Sequence, residues 1–266
     1  MPGELPVNID AYAPQEIATR VENAGVAKAG QALLPLIALS VLAGVFISFG
    51  AMYYTVTVTG SELGFGPTRM LGALAFSVGL ILVIVGGAEL FTGNSLIVMA
   101  WVHSRITLAA LMRNWVVVFI GNAVGAIGAA FAMHWSGALA IGGGAVGETA
   151  VAISGGKLAL DPMQAFFRGI LCNALVCLAV WLCFAAHSVS GKILAIIFPV
   201  SAFVAIGFEH SIANLYLIPV GMLHSGVYDF AGFGENIAIV TAGNIIGGGV
   251  FVALSYYVIY LRSRSS

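Results

Sequence analysis

The sequence predicts an all-α integral membrane protein of six transmembrane helices, arranged as a 3+3 inverted repeat whose second and fifth helices are broken. Three observations carry that prediction. The 266 residues are 60% hydrophobic and only 8% charged, too little charge to cover a soluble domain of this size. The sparse charges leave six long apolar stretches uninterrupted or nearly so. One polar signature also occurs twice, as Gly87-x-Glu89-x-x-x-x-Asn94 and Gly207-x-Glu209-x-x-x-x-Asn214, each inside an apolar run. Each copy is followed by a second matching element, Gly121-Asn122-x-x-Gly125 and Gly243-Asn244-x-x-Gly247. A net charge of −1 without a basic cluster gives no electrostatic footprint for nucleic acid.

Residues 1–30 read as an N-terminal cytoplasmic or interfacial segment. Met1-Pro2-Gly3-Glu4 lacks the basic and apolar regions of a cleavable signal, so the first span is expected to direct insertion. Residues 14–30 place Ile17, Val21 and Ala24 on one helical face, with Glu16, Arg20 and Glu22 mostly elsewhere, the pattern of a short interfacial helix. A frayed tail serves as well for residues 1–13. The six-helix domain is expected over 31–262, with repeat one about 31–135, repeat two about 161–262, and a tail at 263–266.

The first apolar run covers 29–61, with its core at Leu33–Val58. The second runs from Met70 through Glu89 to Val102. A straight helix of that length would reach about 50 Å, against a hydrocarbon core of about 30 Å. Gly86-Gly87 and Gly93 supply the interruption that resolves the mismatch. The third span covers about Asn114–Met133 and the fourth Gly169–Ala186. The fifth runs from Ile193 to Leu223, broken at Gly207 with Glu209 and His210 inside it, and the sixth covers Asn236–Leu261. Three spans per repeat is an odd number, so the second copy enters the membrane upside down. Non-helical backbone at membrane depth survives only where protein buries it or water reaches it, so both breaks belong on a pore or binding site.

Orientation follows from Lys and Arg. Arg20, Lys28, Arg105, Arg113, Lys192, Arg262 and Arg264 fall on the N-terminal side, and only Arg69, Lys157 and Arg168 on the other. That bias predicts cytoplasmic termini, with the segments Thr59–Thr68, Ala140–Asp161 and His224–Glu235 outside.

Among five histidines, His103, His134, His187 and His224 sit near span ends, and His210 sits mid-span beside Glu209. An ionisable group at that depth is costly and faces a cavity or the bundle interior, and imidazole titrates near physiological pH. The alternative is a neutral histidine tied to a neighbouring helix. Glu89 and Glu209 read as proton carriers or cation ligands, or, more in keeping with a broken helix, as acceptors for freed backbone N–H groups or partners of Lys or Arg. Lys157, after Gly155-Gly156, draws anions to a pore mouth, pairs with an acid, or is an ordinary interfacial lysine. Thr92, Asn94, Asn122, Asn173, Asn214 and Asn244 offer hydrogen bonds at depth, with Asn122 and Asn244 reading mostly as packing. Phe76, Leu80, Leu90, Val176 and Phe203 are either hydrophobic gates or ordinary apolar packing. Cys172, Cys177 and Cys183 show no metal or redox spacing and read as buried apolar residues.

Leu90-Phe91-Thr92-Gly93-Asn94 and Gly207-Phe208-Glu209-His210-Ser211-Ile212-Ala213-Asn214 resemble the two signatures of the formate/nitrite transporter family. Asn173-Ala174-Leu175-Val176-Cys177-Leu178-Ala179-Val180-Trp181 and Gly243-Asn244-Ile245-Ile246-Gly247-Gly248-Gly249 add to the match, which runs from about residue 20 to Arg262. The chain is most similar to the formate channels, also in Val45-Phe46-Ile47-Ser48 and Val258-Ile259-Tyr260-Leu261-Arg262. Two features depart from them: Asn94 stands where those channels carry Ser or Thr, and the segment between His224 and Glu235 is shorter.

The resemblance implies an aquaporin-like protomer in a homopentamer of a bacterial inner membrane, with a pore in each subunit for small monovalent anions such as formate, nitrite, hydrosulfide or lactate, moving with protons. It implies a central pore histidine at His210, an omega-loop threonine at Thr92, and a neighbouring asparagine at Asn244. It also implies an anion-attracting lysine at Lys157, with Asn173 nearby and Glu209 as its ionic partner. Constrictions are implied at Phe76 and Phe203 on one side of the histidine and at Leu80, Leu90 and Val176 on the other. Gly87, Gly207, Glu89, Asn94 and Asn214 then shape the breaks. No enzyme activity, metal or cofactor is expected. A membrane haem enzyme would need paired ligands at depth where only one histidine lies, and a neutral-solute channel lacks its Asn-Pro-Ala box here.

Overall fold

The computed structural model describes residues 10–262. Residues 1–9 and 263–266, which include Arg264 and the expected C-terminal tail, lie outside the described residues. Among the described residues, six helices are long and apolar enough to cross a membrane: Leu33–Val58, Phe65–Gly86, Leu108–Trp135, Pro162–Ala185, Val189–Ile206 and Phe230–Tyr260.

The chain opens with helix α1 (Pro14–Ala29), in the place the amphipathic pattern predicts. Its buried face, Ile17, Ala18, Val21 and Gly25, is covered by the bundle itself. Glu22, which sequence places off that face, is buried with it because His103 and Arg105 meet its carboxylate. Helix α2 (Leu33–Val58) matches the expected first core. The second span is α3 (Phe65–Phe76) continuing into α4 (Val78–Gly86), and it stops at Gly87. The chain resumes as a 3₁₀ turn at Gly93–Ile97 and the short α5 (Val98–Val102). Helix α6 (Leu108–Trp135) follows, capped by Thr107, whose hydroxyl accepts from the Ala110 N–H.

The second copy starts earlier than sequence suggests. The segment 140–161, expected as a connecting loop, holds helix α7 (Ala145–Leu158), and Lys157 sits in its last turn. Helix α8 (Pro162–Ala185) begins at a proline after Asp161, whose carboxylate accepts from the Met163 and Gln164 N–H groups. The fifth span is α9 (Val189–Ile206), which stops at Gly207, and α10 (Ser211–Ser225) resumes it. The sixth span is α11 (Phe230–Ile245), a π-helical stretch at Ile246–Leu254, and α12 (Ser255–Tyr260).

Both breaks turn on a glycine in the left-handed region, Gly87 at φ 81° and Gly207 at φ 88°. A side chain there would cost about 1–2 kcal/mol, which is why the chain leaves its helix at these positions. Glycines also set the closest helix contacts. A Cβ on Gly125 of α6 would fall on the Val41 carbonyl of α2, and one on Gly247 would fall on the Ile170 carbonyl of α8. Those approaches bring Asn122 and Asn244 within reach of backbone that a larger interface residue would hold away.

Candidate functional site

Each break is held by a closely matching hydrogen-bond frame, the difference being that Lys28 also donates to Asn94 Oδ1 at 3.1 Å while Asn214 Oδ1 has no partner among the described residues. In the first, Lys28 Nζ donates to Glu89 Oε1 at 2.7 Å, and Asn94 Nδ2 donates to Glu89 Oε2 at 2.8 Å and to Asn114 Oδ1 at 2.9 Å. Asn114 Nδ2 closes the circuit on the Lys28 carbonyl at 3.1 Å. In the second, Lys157 Nζ donates to both Glu209 oxygens at 3.0 Å, and Asn214 Nδ2 donates to Glu209 Oε2 at 2.7 Å and to Asn236 Oδ1 at 2.8 Å. Asn236 Nδ2 returns to the Lys157 carbonyl at 3.1 Å. The repeat therefore includes the helix before each set of three spans, α1 in one half and α7 in the other. Both glutamates take the role of lysine partner. Lys28 escaped the sequence reading because its distance to Glu89 along the chain differs from that of Lys157 to Glu209, so motif register alone does not pair them.

The two Gly-Asn elements complete the frame. Asn122 Oδ1 accepts from the Phe91 N–H at 2.9 Å, while its Nδ2 donates to the Ser40 and Glu89 carbonyls. Asn244 Oδ1 accepts from the Ser211 N–H at 2.9 Å, while its Nδ2 donates to the Gly169 and Glu209 carbonyls. These contacts satisfy backbone groups that the broken helices expose. More than packing, they staple the breaks.

His210 caps α10: its Nδ1 accepts from the Ala213 N–H at 3.1 Å. That assignment puts the proton on Nε2, which stands 3.0 Å from Thr92 Oγ1 of the other repeat. The ring is buried and lies parallel to Phe203, with centroids 6.0 Å apart. Phe203 in turn meets Phe76 edge to face at 5.9 Å.

One vestibule reaches this cluster directly, and a second approaches it from the side of Leu80. One, about 580 Å³, is lined by Lys157, Glu209, His210, Phe76, Phe203 and also Arg69 and Arg168. The other, about 230 Å³, is lined by Lys28, Glu89, Leu80, Leu90, Val180 and Lys192. Between them a void of only about 10 Å³ is bounded by Ile47, Phe76, Leu80, Val176, Val200, Phe203 and His210. Every residue named as a constriction lines a vestibule or this pinch.

Two residues expected at the pore wall stand behind it. Asn173 donates to the Thr92 carbonyl, Ser95 Oγ and, at 2.6 Å, the Asn244 carbonyl, so its amide is engaged within the protein. Asn244 is likewise committed to backbone, and neither lines a vestibule or the pinch. Thr92 reaches the site only through its contact with His210. Arg69, Arg168 and Lys192 line the vestibules, though in the sequence they serve only to orient the chain.

A sequence model described as formate/nitrite transporter matches residues 15–258. The chain is 39% identical over 277 aligned residues to the formate channel FocA of Escherichia coli strain K12, covering 96% of each chain. It is 41% identical to a probable formate transporter of Methanothermobacter thermautotrophicus, covering 85% of this chain and 89% of that one. Among solved structures it is similar to a pentameric formate channel with formate bound, with a TM-score of 0.79, 41% identity, and coverage of 86% and 97%. It is also similar to an FNT family ion channel, with a TM-score of 0.82, 28% identity, and coverage of 92% and 98%.

Proposed function

The chain belongs to the formate/nitrite transporter family, and from that premise we propose that it is a pentameric membrane channel for small monovalent anions of weak acids, formate foremost. It is a multi-pass membrane protein and not an enzyme: its relatives are named channels and transporters. The observation that carries the mechanism is the pinch. Two vestibules, each holding a lysine–glutamate pair, meet at a void of about 10 Å³ whose walls are apolar except for His210.

A bare anion crosses such a ring at high cost, because it loses its hydration in a medium of low dielectric. A neutral acid such as HCOOH or HNO2 avoids that cost. The anion enters a vestibule, takes a proton from vestibule water or from His210 as desolvation raises its pKa, and passes the pinch neutral. That step leaves hydroxide or a deprotonated imidazole, which is reprotonated from the bulk. His210 is the polar group that meets it there, with its Nε2–H shared between Thr92 and the passing acid. The basic residues favour cytoplasmic termini in a bacterial inner membrane, with Lys157 facing outward.

The test is flux into proteoliposomes with formate, nitrite, hydrosulfide and lactate, and glycerol as the neutral control. Formate uptake with no glycerol uptake is expected. Glycerol passage without formate would replace this function with that of a neutral-solute pore. A mass measurement in mild detergent checks the assembly, for which a pentamer is expected.

A further inference from the structure

The vestibule that holds Lys157 carries more positive charge than its lysine provides. Lys157 Nζ lies 3.0 Å from both oxygens of Glu209, so the pair is close to neutral as seen by an arriving anion. Arg69 and Arg168 line the same vestibule, and neither forms an ion pair with a carboxylate among the described residues. Their partners are backbone carbonyls at the broken end of α9. Arg69 Nε donates to the Ala205 carbonyl at 2.8 Å and its Nη2 to Val204 at 3.1 Å, while Arg168 Nη1 approaches the Gly207 carbonyl at 3.5 Å.

Those carbonyls are the negative end of a half-helix, equivalent to about half an elementary charge, and Val204 and Gly207 line the vestibule an arriving anion must cross. Left bare, they would repel it. Two guanidinium groups over-compensate them. A guanidinium has five donors, and these contacts leave Nη1 of Arg69, and Nε and Nη2 of Arg168, without a protein acceptor among the described residues.

The other vestibule lacks this device. The repeats align Gly87 with Gly207, which sets Val189 at the register of Arg69. The Glu89 N–H donates to the Leu39 carbonyl as the Glu209 N–H donates to Arg168, which sets Leu39 at the register of Arg168. Both counterparts are apolar, and no side chain donates to the Ile84 or Val85 carbonyls at the end of α4 among the described residues. Among the described residues, the other cation lining that vestibule is Lys192, which forms no ion pair.

We propose that Arg69 and Arg168 form an anion-recruiting subsite in the Lys157 vestibule, one that holds a small carboxylate or other monovalent anion ahead of the pinch and makes capture from that face the stronger of the two. The proposal rests on the channel function given above and names the residues that concentrate its substrate.

Initial formate uptake by proteoliposomes, measured over a concentration series at low and high ionic strength, tests it. The double variant Arg69→Gln/Arg168→Gln keeps hydrogen-bond donors for the carbonyls but loses both charges. It should raise the half-saturating formate concentration on the order of tenfold and flatten the salt dependence, with the maximal rate within about twofold of the parent. Arg69→Lys/Arg168→Lys should keep the parental affinity and salt dependence. Parental affinity and salt dependence in the glutamine variant would overturn the proposal. So would loss of the maximal rate in both the glutamine and lysine variants, which would make the arginines staples of α9 only. Bromide located by anomalous scattering in crystals gives a second readout that needs no transport. Bromide beside the two arginines in the parent and absent in the glutamine variant supports the subsite even where formate flux fails, in which case the channel function falls alone. Bromide equally strong in both would overturn it.

Discussion

At the first break Glu89 is followed by Leu90, Phe91 and Thr92, and at the second Glu209 is followed by His210, Ser211 and Ile212. Around these tips the two regions are almost superimposable in their bonds: a lysine on each glutamate, an asparagine bridging to a second asparagine, and a Gly-Asn element clasping the loop. The tips differ. One presents Leu90 to its vestibule, and the other presents an imidazole whose Nε2 crosses the repeat boundary to Thr92. The shared frame solves a problem every broken helix has, which is to satisfy freed backbone groups and buried charge away from water. The unshared positions are free to differ because that problem is already solved, and there the chemistry resides.

The largest expected effect separates the tips. His210→Phe should lower formate flux on the order of 100-fold while the assembly persists, because it removes the polar group at the pinch. Leu90→Met, a near-isosteric change at the equivalent position, should leave flux within about threefold. Comparable losses in both would show that the asymmetry does not lie at the tips. His210→Asn sharpens the point: it keeps a donor but cannot titrate, so flux should persist with an altered pH profile or become charge-carrying. A profile and current identical to the parent would make the histidine structural.

A smaller effect measures the frames. Glu209→Ala strands Lys157, whose side chain is 15% exposed, and should destabilise the protein by about 3–5 kcal/mol. Glu89→Ala should cost less, because Lys28 is 32% exposed and reaches water. Thermal unfolding in detergent reads the difference, and a larger loss for Glu89→Ala would break the comparison.

The smallest effect concerns the glycines. Alanine at Gly87 or Gly207 should cost about 1–2 kcal/mol for the left-handed backbone. Gly207→Ala should cost more, since its Cβ would come within 2.9 Å of Arg69 Nη2 while nothing lies near a Cβ on Gly87. Equal midpoints for the two variants in the same unfolding assay would mean that the Arg69 side chain yields freely.

Much of the architecture was legible from one dimension. The first span is helical over the same Leu33–Val58 that its apolar run outlines, and both breaks fall at the glycines that interrupt over-long runs. The cysteines read as buried apolar residues are buried, although Cys183 also lines the smaller vestibule. Local signals sufficed there, because hydropathy, length and backbone conformation are properties of a segment and its solvent. Helix α7 was missed for the same reason: Gly-rich and short, it carries a weak local signal and is held by packing on α10.

What the sequence by itself determined is that this chain crosses a membrane six times, twice with a broken helix, and that His210 lies at depth between the copies. Which partners Lys28 and Arg69 meet, only the tertiary structure decided. Lys28 finds Glu89 across 61 residues and Arg69 finds Ala205 across 136, and in neither case does local spacing mark the partner. Asn244 reads mostly as packing from its own sequence setting, and only the family resemblance puts it and Asn173 at the pore; in the fold both turn inward, because backbone carbonyls claim their amides. In a low-dielectric interior an unpaired polar group is costly, so most side chains in the two frames find a partner, and which partner is within reach is fixed by how the helices pack.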